Sequence, residues 1–394
     1  MRKGWEYKKL GEVATFINGD RGKNYPSAKD FVESGVPFIN AGHLNNGIIS
    51  YDKMNYITIN KYNSLGSGKI IKNDILFCLR GSLGKYAIVA EDSMGAIASS
   101  LVIIRPFQNA DNRFIAHFLS SAKIKEYIAK NNNGSSQPNL SAKSVASFII
   151  PLPTLSTQLA IVSELDKINK LIRLKKEQLK DFDNLAQSLF YEMFGDPVEN
   201  EKGWEVKKLN EIVSDNCSIS YGIVQPGDGV ENGVPVVRPV DMTKTFVSRK
   251  GLKNTTKEIS DSYKRTILKG NEILMCVRGT TGLISMATPE LQGCNVTRGI
   301  APIECGPTCD KWFVFYQILN PAIQHHIAEY TRGIALKQIN MKDVRDIPLC
   351  LPPLSLQRLF AQRIEQIERE KSEVQKSIQD LETLLASRMQ YWFE

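Results

Sequence analysis

The sequence predicts an α+β protein built as a tandem repeat, in which each of two mixed α/β domains is followed by one long helix. Two observations carry this prediction. Motifs recur at an offset of 198 or 199 residues along the 394-residue chain, and two long stretches each carry one narrow apolar stripe. The predicted domains are residues 1–153 and 198–352, and the predicted helical regions are residues 154–197 and 353–394.

The first long helix is predicted over residues 159–194. Its apolar side chains alternate steps of three and four residues, which is typical of a coiled-coil seam. Gly195 is placed to cap the helix and Pro197 prevents its continuation. The predicted seam residues are Ile161, Leu165, Ile168, Ile172, Leu179 and Phe182, and the stripe continues through Leu185, Leu189 and Met193.

The second long helix, predicted over residues 359–392, repeats this design. A helix with one apolar stripe needs a partner, and two such helices in one chain indicate a spacer between the two domains. The predicted seam residues here are Ile364, Ile367, Val374, Ile378, Leu381 and Leu385.

The repeat is visible in short motifs that keep one register. Gly4-Trp5 returns as Gly203-Trp204, Arg80-Gly81-Ser82 returns as Arg278-Gly279-Thr280, and the glutamine of the Leu-Pro junction, Gln158, returns as Gln357. Within the first copy, residues 75–79, 86–90 and 101–104 are predicted strands. Residues 114–130 are predicted as one helix, and 148–150 as a last strand that ends at Pro151.

Composition gives little direct information on function. The formal net charge of +8 is compatible with a polyanionic partner, but many proteins are equally basic. The seven cysteines lack a disulfide-like spacing, and no signal-like or membrane-length apolar run is seen, so a cytoplasmic location is expected. Cys294, Cys305 and Cys309 match no common zinc spacing, so free thiols and no metal site are expected.

Candidate contact residues lie in polar loops, which differ between the copies while scaffold positions repeat. An arginine at a strand end, followed by glycine and a hydroxyl, can grip a phosphate or a guanine edge, although a solvated turn is the alternative. The loop of residues 131–139 is rich in amides and hydroxyls, with a flexible linker as its alternative. The divergence pairs Asn40–His43 with Arg238–Asp241 and Ser99-Ser100 with Thr297-Arg298. The candidates are Asn40, His43, Arg80, Ser82, Ser99, Ser100, Ser135, Gln137 and Asn139 in the first copy, and Arg238, Asp241, Arg278, Thr280, Thr297, Arg298, Arg332, Lys337 and Gln338 in the second.

Catalytic motifs are missing from the sequence. There is no P-loop pattern, no tetrapeptide of the amino-methyltransferase type, and no carboxylate pair that recurs in both copies. A duplicated enzyme should duplicate its chemistry, so no catalytic residue is predicted.

The whole chain resembles the specificity subunit of a type I restriction-modification system. The resemblance is carried by the paired Gly-Trp openings, the strands ending in Arg80-Gly81 and Arg278-Gly279, the Leu-Pro junctions with Gln158 and Gln357, and Phe194-Gly195-Asp196-Pro197. It implies two target-recognition domains with pseudo-twofold symmetry, joined by two long antiparallel coiled-coil helices.

The resemblance also implies a function. Each domain would read one half of a bipartite, asymmetric site on double-stranded DNA, and the helices would set the spacing and dock methyltransferase (M) subunits. This subunit would be non-catalytic and without a cofactor, with S-adenosylmethionine and ATP bound by the M and restriction/translocase (R) subunits. The alternatives are a scaffold with two protein-binding heads, or a DNA-modifying enzyme with an unrecognised motif.

Overall fold

The computed structural model describes Arg2 and residues 4–131, 138–333 and 336–394. The chain forms two compact units, one comprising Met1–Lys176 and Lys376–Glu394, the other Glu177–Gln375. The division passes through both long helices. Each unit therefore contains one mixed α/β domain, the first part of the helix that follows it, and the last part of the other helix.

The first domain contains two four-stranded sheets, ordered β2-β11-β8-β9 and β10-β4-β7-β3, and two short two-stranded sheets. Its strands are β1 (Glu6–Lys9), β2 (Ala14–Asn18), β3 (Phe31–Val32), β4 (Val36–Ile39), β5 (Leu44–Asn45), β6 (Ile48–Ile49), β7 (Tyr56–Ile57), β8 (Ile75–Cys78), β9 (Tyr86–Ile88), β10 (Ala96–Ile97), β11 (Leu101–Pro106) and β12 (Ile149–Leu152). Its helices are α1 (Ile59–Ser64), α2 (Asn112–Ser120), α3 (Ala122–Asn131) and α4 (Ala142–Ala146), and α5 (Leu155–Phe194) is the first long helix.

The second domain repeats this plan with shorter sheets, ordered β17-β16-β19, β15-β14-β18 and β13-β20. Its strands are β13 (Glu205–Lys208), β14 (Val234–Val237), β15 (Lys253–Thr255), β16 (Ile273–Cys276), β17 (Ile284–Met286), β18 (Asn295–Val296), β19 (Ile300–Ile303) and β20 (Pro348–Leu351). Its helices are α6 (Leu209–Ile212), α7 (Lys257–Asp261), α8 (Lys311–Leu319), α9 (Pro321–Glu329) and α10 (Met341–Arg345), and α11 (Leu354–Phe393) is the second long helix.

Strand direction brings several turns of the first domain to one edge. Because β11 runs antiparallel to both β2 and β8, the carboxyl ends of β2 and β8 lie beside the start of β11. The strand β10 runs parallel to β4 and comes just before β11, so the carboxyl end of β4 lies at the same edge. In the second domain, β14, β16, β18 and β19 are paired in the same way.

The strands predicted at residues 75–79, 86–90 and 101–104 are present as β8, β9 and β11. The single helix predicted over residues 114–130 is wrong, because Ser121 takes an extended backbone conformation and separates α2 from α3. The last strand continues through Pro151, which pairs with Tyr7 in a two-stranded sheet. A proline is tolerated there because a sheet of two strands leaves backbone donors unpaired on its outer sides.

Both long helices contain 40 residues, and α5 ends at Phe194, where Gly195 adopts the left-handed conformation expected of a cap (φ +77°). The predicted seam residues Ile161, Leu165, Ile168, Ile172, Ile364, Ile367, Val374 and Ile378 are buried, and Leu179, Phe182, Leu381 and Leu385 are half-buried.

The stripe differs from the prediction at its end. Leu185 is 52% exposed, whereas Ala186, Phe190 and Phe194 are buried. On a straight helix, positions that repeat every seven residues move gradually around the surface, so the buried face passes to neighbouring positions towards the end of α5.

Inside each unit the two helix segments run antiparallel. In the first unit Glu164 bonds to Arg388 and Lys176 bonds to Glu382, so residue numbers rise along one helix and fall along the other. In the second unit Asp183 bonds to Lys371, and Phe190 contacts Phe360. In the described part of the chain, no helix is both long enough and apolar enough to cross a membrane.

Candidate nucleic-acid interface

Three turns of the first domain, which follow β4, β8 and β10, meet at the edge where β2, β4 and β8 end. The Ala98 N–H donates to the Ile39 carbonyl (2.8 Å), and the Leu79 N–H donates to the Ser100 carbonyl (2.8 Å). These bonds hold the turns that follow β4, β8 and β10 side by side. We call the residues exposed or half-exposed here the first strand-end surface: Asn18, Asn40, Arg80, Ser82, Ser99, Ser100 and Asn139.

The repeated arginine turn of the first domain is joined to the end of the polar loop. Arg80 forms an isolated antiparallel bridge with Asn139, and the Gly81 N–H donates to the Pro138 carbonyl (3.1 Å). Arg80, Ser82 and Asn139 are all exposed. The predicted contacts Ser135 and Gln137 lie outside the described residues. The structure therefore places Asn139 beside the Arg80-Gly81-Ser82 turn, from which it is distant in sequence.

The second domain has the same arrangement around Arg278. Arg278 forms a bridge with Gln338, and the Gly279 N–H donates to the Lys337 carbonyl (2.8 Å). Gln338 and Arg332 exchange two backbone hydrogen bonds of 2.8 Å each. The second strand-end surface comprises Tyr221, Arg238, Arg278, Thr280, Thr297, Arg298, Arg332, Lys337 and Gln338.

The Arg278 side chain has one buried donor that the described residues leave unpaired. Its Nε is buried, and among the described residues no acceptor bonds to it. Buried polar groups are nearly always hydrogen-bonded, so this guanidinium is suited to an acceptor supplied by a ligand.

The turn of Asn40 and His43 is stabilised by its own side chains. The His43 ring is buried, with Nδ1 accepting from the Asn40 N–H (3.1 Å) and Nε2 lying 3.3 Å from the Lys53 carbonyl. The Asn40 side chain accepts from the Gly42 N–H (2.8 Å). The structure differs here from the sequence prediction, because both His43 ring nitrogens are occupied and the ring is not presented to a ligand.

The equivalent turn of the second domain is closed by an ion pair. The Arg238 guanidinium donates to both oxygens of Asp241 (2.7 and 3.0 Å), and Asp241 also accepts from the Arg238 N–H (2.8 Å). The hydrogen bond with Asp241 raises the pKa of Arg238. Two of the five donors of a guanidinium are thus engaged, and Asp241 is half-buried against its partner.

The pairing of Ser99-Ser100 with Thr297-Arg298 is wrong by one residue. The Ala98 and Thr297 N–H groups donate to the equivalent residues Ile39 and Val237, and the Leu79 and Val277 N–H groups bond to Ser100 and Gly299. Ser99 therefore corresponds to Arg298. The second copy has one more residue between its two central strands, and no motif in that interval marks the insertion.

Sequence reasoning missed Tyr221 and Arg21. The Tyr221 hydroxyl accepts from Gln338 (3.4 Å), and its ring centroid lies 5.8 Å from the guanidinium carbon of Arg298. In the first domain, Arg21 donates to the Ser99 carbonyl (3.3 Å). Gly222 was the one sequence signal. Gly19 and Gly222 each approach a backbone carbonyl closely at equivalent places. The interval between these two glycines, however, departs from the repeat offset of 198 or 199 residues.

Among the described residues, no group of three or more His, Cys, Asp or Glu side chains is arranged to hold a metal ion. The strand-end surfaces are rich in amides, hydroxyls and guanidinium groups, which can bond to phosphates and to base edges.

Comparison with known proteins identifies the family. The model described as the type I restriction modification DNA specificity domain matches residues 2–181 and 201–383. The specificity subunit of the EcoBI enzyme from Escherichia coli is 24% identical over 292 residues, which span 68% of this chain and 61% of that protein. The putative MjaX specificity subunit from Methanocaldococcus jannaschii is 24% identical over 412 residues, 97% of this chain and 92% of that protein.

Solved structures share the fold. A chain from work on complex assembly and conformational transition of the type I R-M system has a TM-score of 0.61 at 20% identity, covering 99% of this chain and 97% of that chain. The type I S subunit from M. genitalium has a TM-score of 0.56 at 14% identity, covering 99% and 96%. With two matched domains that cover most of its length, the chain belongs to the family of type I restriction-modification DNA specificity domains.

Proposed function

We propose that this chain is the sequence-specific DNA-binding subunit of a type I restriction-modification complex. Each domain reads one half of a bipartite, asymmetric site on double-stranded DNA. The observation that supports this most is the composition of the strand-end surfaces. An arginine turn recurs in both domains as Arg80 and Arg278, and the surrounding side chains differ. This combination is expected if the repeated arginines contact the DNA backbone, which both half-sites share, and the differing side chains contact bases.

The two long helices act in this proposal as a spacer. We propose that α5 and α11 form an antiparallel coiled coil with pseudo-twofold symmetry, set the distance between half-sites and dock the M subunits. Their support is the antiparallel pairing of Glu164 with Arg388 and of Asp183 with Lys371. R subunits join the same complex, and S-adenosylmethionine and ATP bind to the partners. The subunit itself is non-catalytic.

The two alternatives have less support. A protein-binding scaffold is expected to present an apolar and aromatic patch at the centre of its interface. The strand-end surfaces instead carry arginine, lysine, amide and hydroxyl groups, and among the residues that define them Tyr221 alone is aromatic. An enzyme with an unrecognised motif is not favoured by the family to which the chain belongs.

The first prediction concerns the repeated arginines. Arg80→Ala and Arg278→Ala should each weaken binding of the assembled complex to cognate and to non-specific duplexes alike. Since the position repeats in domains that otherwise differ, the shared phosphate backbone is the expected ligand. Each lost phosphate contact should reduce the slope of log affinity against log salt by about one. A salt titration on both duplexes measures this.

The matched control is Lys311→Ala. Lys311 is an exposed cation at the start of α8, beyond the opposite end of β19 from the strand-end surface. The Lys311→Ala variant should leave the salt slope unchanged. If both arginine variants also keep the wild-type slope, these arginines are solvated turn residues and their part in the proposal is wrong.

A further inference from the structure

We propose that Arg298, supported by the ring of Tyr221 and flanked by Gln338, recognises a guanine in the half-site of the second domain. The inference rests on the proposed DNA-reading function and adds to it one residue and one base. Tyr221 acts in it as a positioning residue, which holds the guanidinium of Arg298 without touching the base.

The backbone fixes Tyr221 beside Arg298. The Ile223 N–H donates to the Val296 carbonyl (2.8 Å), and the Arg298 N–H donates to the Ile223 carbonyl (2.7 Å). Gly222 makes this approach possible, because an added Cβ would lie 2.1 Å from the Val296 oxygen. The segment that carries the ring is therefore aligned with the segment that carries the arginine.

Both flanks of the ring are held by further hydrogen bonds. The Arg345 guanidinium donates twice to the Ile219 carbonyl (2.7 and 3.1 Å), which anchors the chain just before Tyr221. On the other flank, Gln338 is fixed by its two backbone bonds to Arg332 and by its bridge to Arg278. These contacts give Tyr221 a fixed platform.

The side chains complete the arrangement. The Arg298 guanidinium carbon lies 5.8 Å from the Tyr221 ring centroid, within the range of a cation–π contact. The Gln338 amide donates to the Tyr221 hydroxyl (3.4 Å). In the described part of the chain the structure records no hydrogen-bond acceptor for the Arg298 side chain. A supported guanidinium with free donors is pre-organised for a bidentate acceptor.

Other cations of this surface are less suited to base selection. Arg238 is engaged by Asp241, and Arg278 has a counterpart in Arg80, which indicates a shared ligand. Arg332 and Lys337 are exposed, and no aromatic ring among the described residues lies over either side chain. An arginine fork matches O6 and N7 of guanine in the major groove, which is the commonest base-specific contact.

The first domain lacks this arrangement at the equivalent positions. Gly19 approaches the Ile97 carbonyl as Gly222 approaches the Val296 carbonyl, with an added Cβ 2.8 Å from the Ile97 oxygen. Asn18 therefore stands at the position of Tyr221, Ser99 at that of Arg298, and Asn139 at that of Gln338. These three residues offer no cation and no ring, so the two domains should differ at this contact.

The test uses the complex assembled with its M subunits and a pool of duplexes with randomised half-sites. Sequencing of bound duplexes should yield a G·C pair at one position of the second half-site for the wild type. Arg298→Gln should reduce that preference about 5- to 150-fold and leave the other positions intact. Arg298→Lys keeps the charge but not the planar fork, so it should reduce the same preference less than Arg298→Gln does, with the salt slope retained.

Variants of Tyr221 separate positioning from simple structural support. Tyr221→Phe keeps the ring and should keep most of the guanine preference, whereas Tyr221→Ala should lose it without altering the first half-site. Lys311→Gln is the control for charge loss in the same domain, and its enriched sequence should equal that of the wild type.

The outcomes discriminate between the two levels of proposal. If the wild type enriches no sequence, both the proposed function and this inference fail. If the wild type selects a sequence and Arg298→Lys and Arg298→Gln select the same one, this inference alone is overturned. It is also overturned if both variants bind all duplexes more weakly with unchanged selectivity, since Arg298 would then contact phosphate.

Discussion

At the scale of single residues, the repeated glutamines explain one of the motifs that carry the family resemblance. The Gln158 side chain is buried; its Oε1 accepts from the Asp111 N–H (2.9 Å) and its Nε2 donates to the carbonyls of Asn109 (3.0 Å) and Pro153 (2.9 Å). Asp111 is the N-cap of α2. One buried amide therefore joins the start of α5 to the start of α2.

The second copy repeats the same junction. Gln357 is buried, accepts from the Asp310 N–H (2.9 Å) and donates to the Pro352 carbonyl (2.7 Å). Asp310 is the N-cap of α8. The repetition of glutamine is thus explained by packing, without a role in binding.

The glutamine junctions yield the second prediction, on stability. Gln158→Leu removes the partners of one buried N–H and two carbonyls, so it should destabilise the first unit by about 1–3 kcal/mol. Gln357→Leu should act similarly on the second unit. The loss of stability is measured by thermal unfolding, with hydrogen exchange reporting on each unit separately. The control Gln379→Leu changes an exposed glutamine on α11, and stability equal to this control in both variants would contradict the assigned role.

At the scale of elements, each unit fixes its helix pair by a different polar contact. In the first unit the Glu164 carboxylate accepts from Nε and Nη2 of Arg388 and from the Trp392 indole. In the second unit Lys371 lies between Asp183 and Glu368 at 2.8 and 2.7 Å. Polar contacts that flank an apolar seam favour one register and orientation over the alternatives. We therefore expect these groups to specify pairing more than to add stability.

The third prediction is a pH dependence. Hydrogen bonding to Arg388 lowers the pKa of Glu164. The folded pKa is thus below the unfolded one, so the contribution is complete above the unfolded pKa of about 4.3 and is lost as the pH falls through the folded pKa. Glu164→Gln should cost about 1 kcal/mol at pH 7, after solvent screening, and the difference from wild type should shrink below about pH 4.

Unfolding of both proteins between pH 7 and pH 3 measures that difference. The matched control is Glu382→Gln, which removes a carboxylate paired with Lys176 on the same helices, where both side chains are more than half exposed. It should change stability little at any pH. A Glu164→Gln effect that stays constant across the range would show that the ion pair does not contribute as assigned.

At the scale of the whole molecule, each unit is assembled from separate parts of the chain. In the first unit the Phe393 ring packs against Phe114 (5.3 Å) and Phe118 (5.8 Å), and Trp392 stacks on Trp5 (6.1 Å). The first domain therefore needs the last turns of α11 to complete its core. In the second unit the equivalent core includes Phe194, the last residue of α5.

The fourth prediction is that the domains read DNA independently. Replacing residues 11–150 by the equivalent part of another family member should change one half of the recognised site and leave the other half unchanged. The replaced part contains the first strand-end surface but neither long helix, so partner docking should persist. Sequencing of modified sites in cells that produce the assembled complex measures both halves. A change in both halves, or in neither, would contradict independent reading.

The sequence by itself determined the repeat, the two long helices and the arginine turns. These features are local or periodic: Gly195 ends α5 because of its own backbone freedom, and Ile161 and Ile172 are placed by helical spacing. The predicted fourfold division of the chain into residues 1–153, 154–197, 198–352 and 353–394 stays a prediction. The DNA contacts assigned to single loop residues also stay predictions.

Only the tertiary structure decided which side chains meet. It buried His43, aligned Ser99 with Arg298, and placed Tyr221 against Arg298 and Gln338. Each of these outcomes depends on hydrogen bonds between strands or segments that are distant in sequence. A shift of one residue in such a pairing changes every neighbour, and nothing local records it. The contact of Phe393 with Phe114 could not be predicted either, since the two residues are far apart in the sequence.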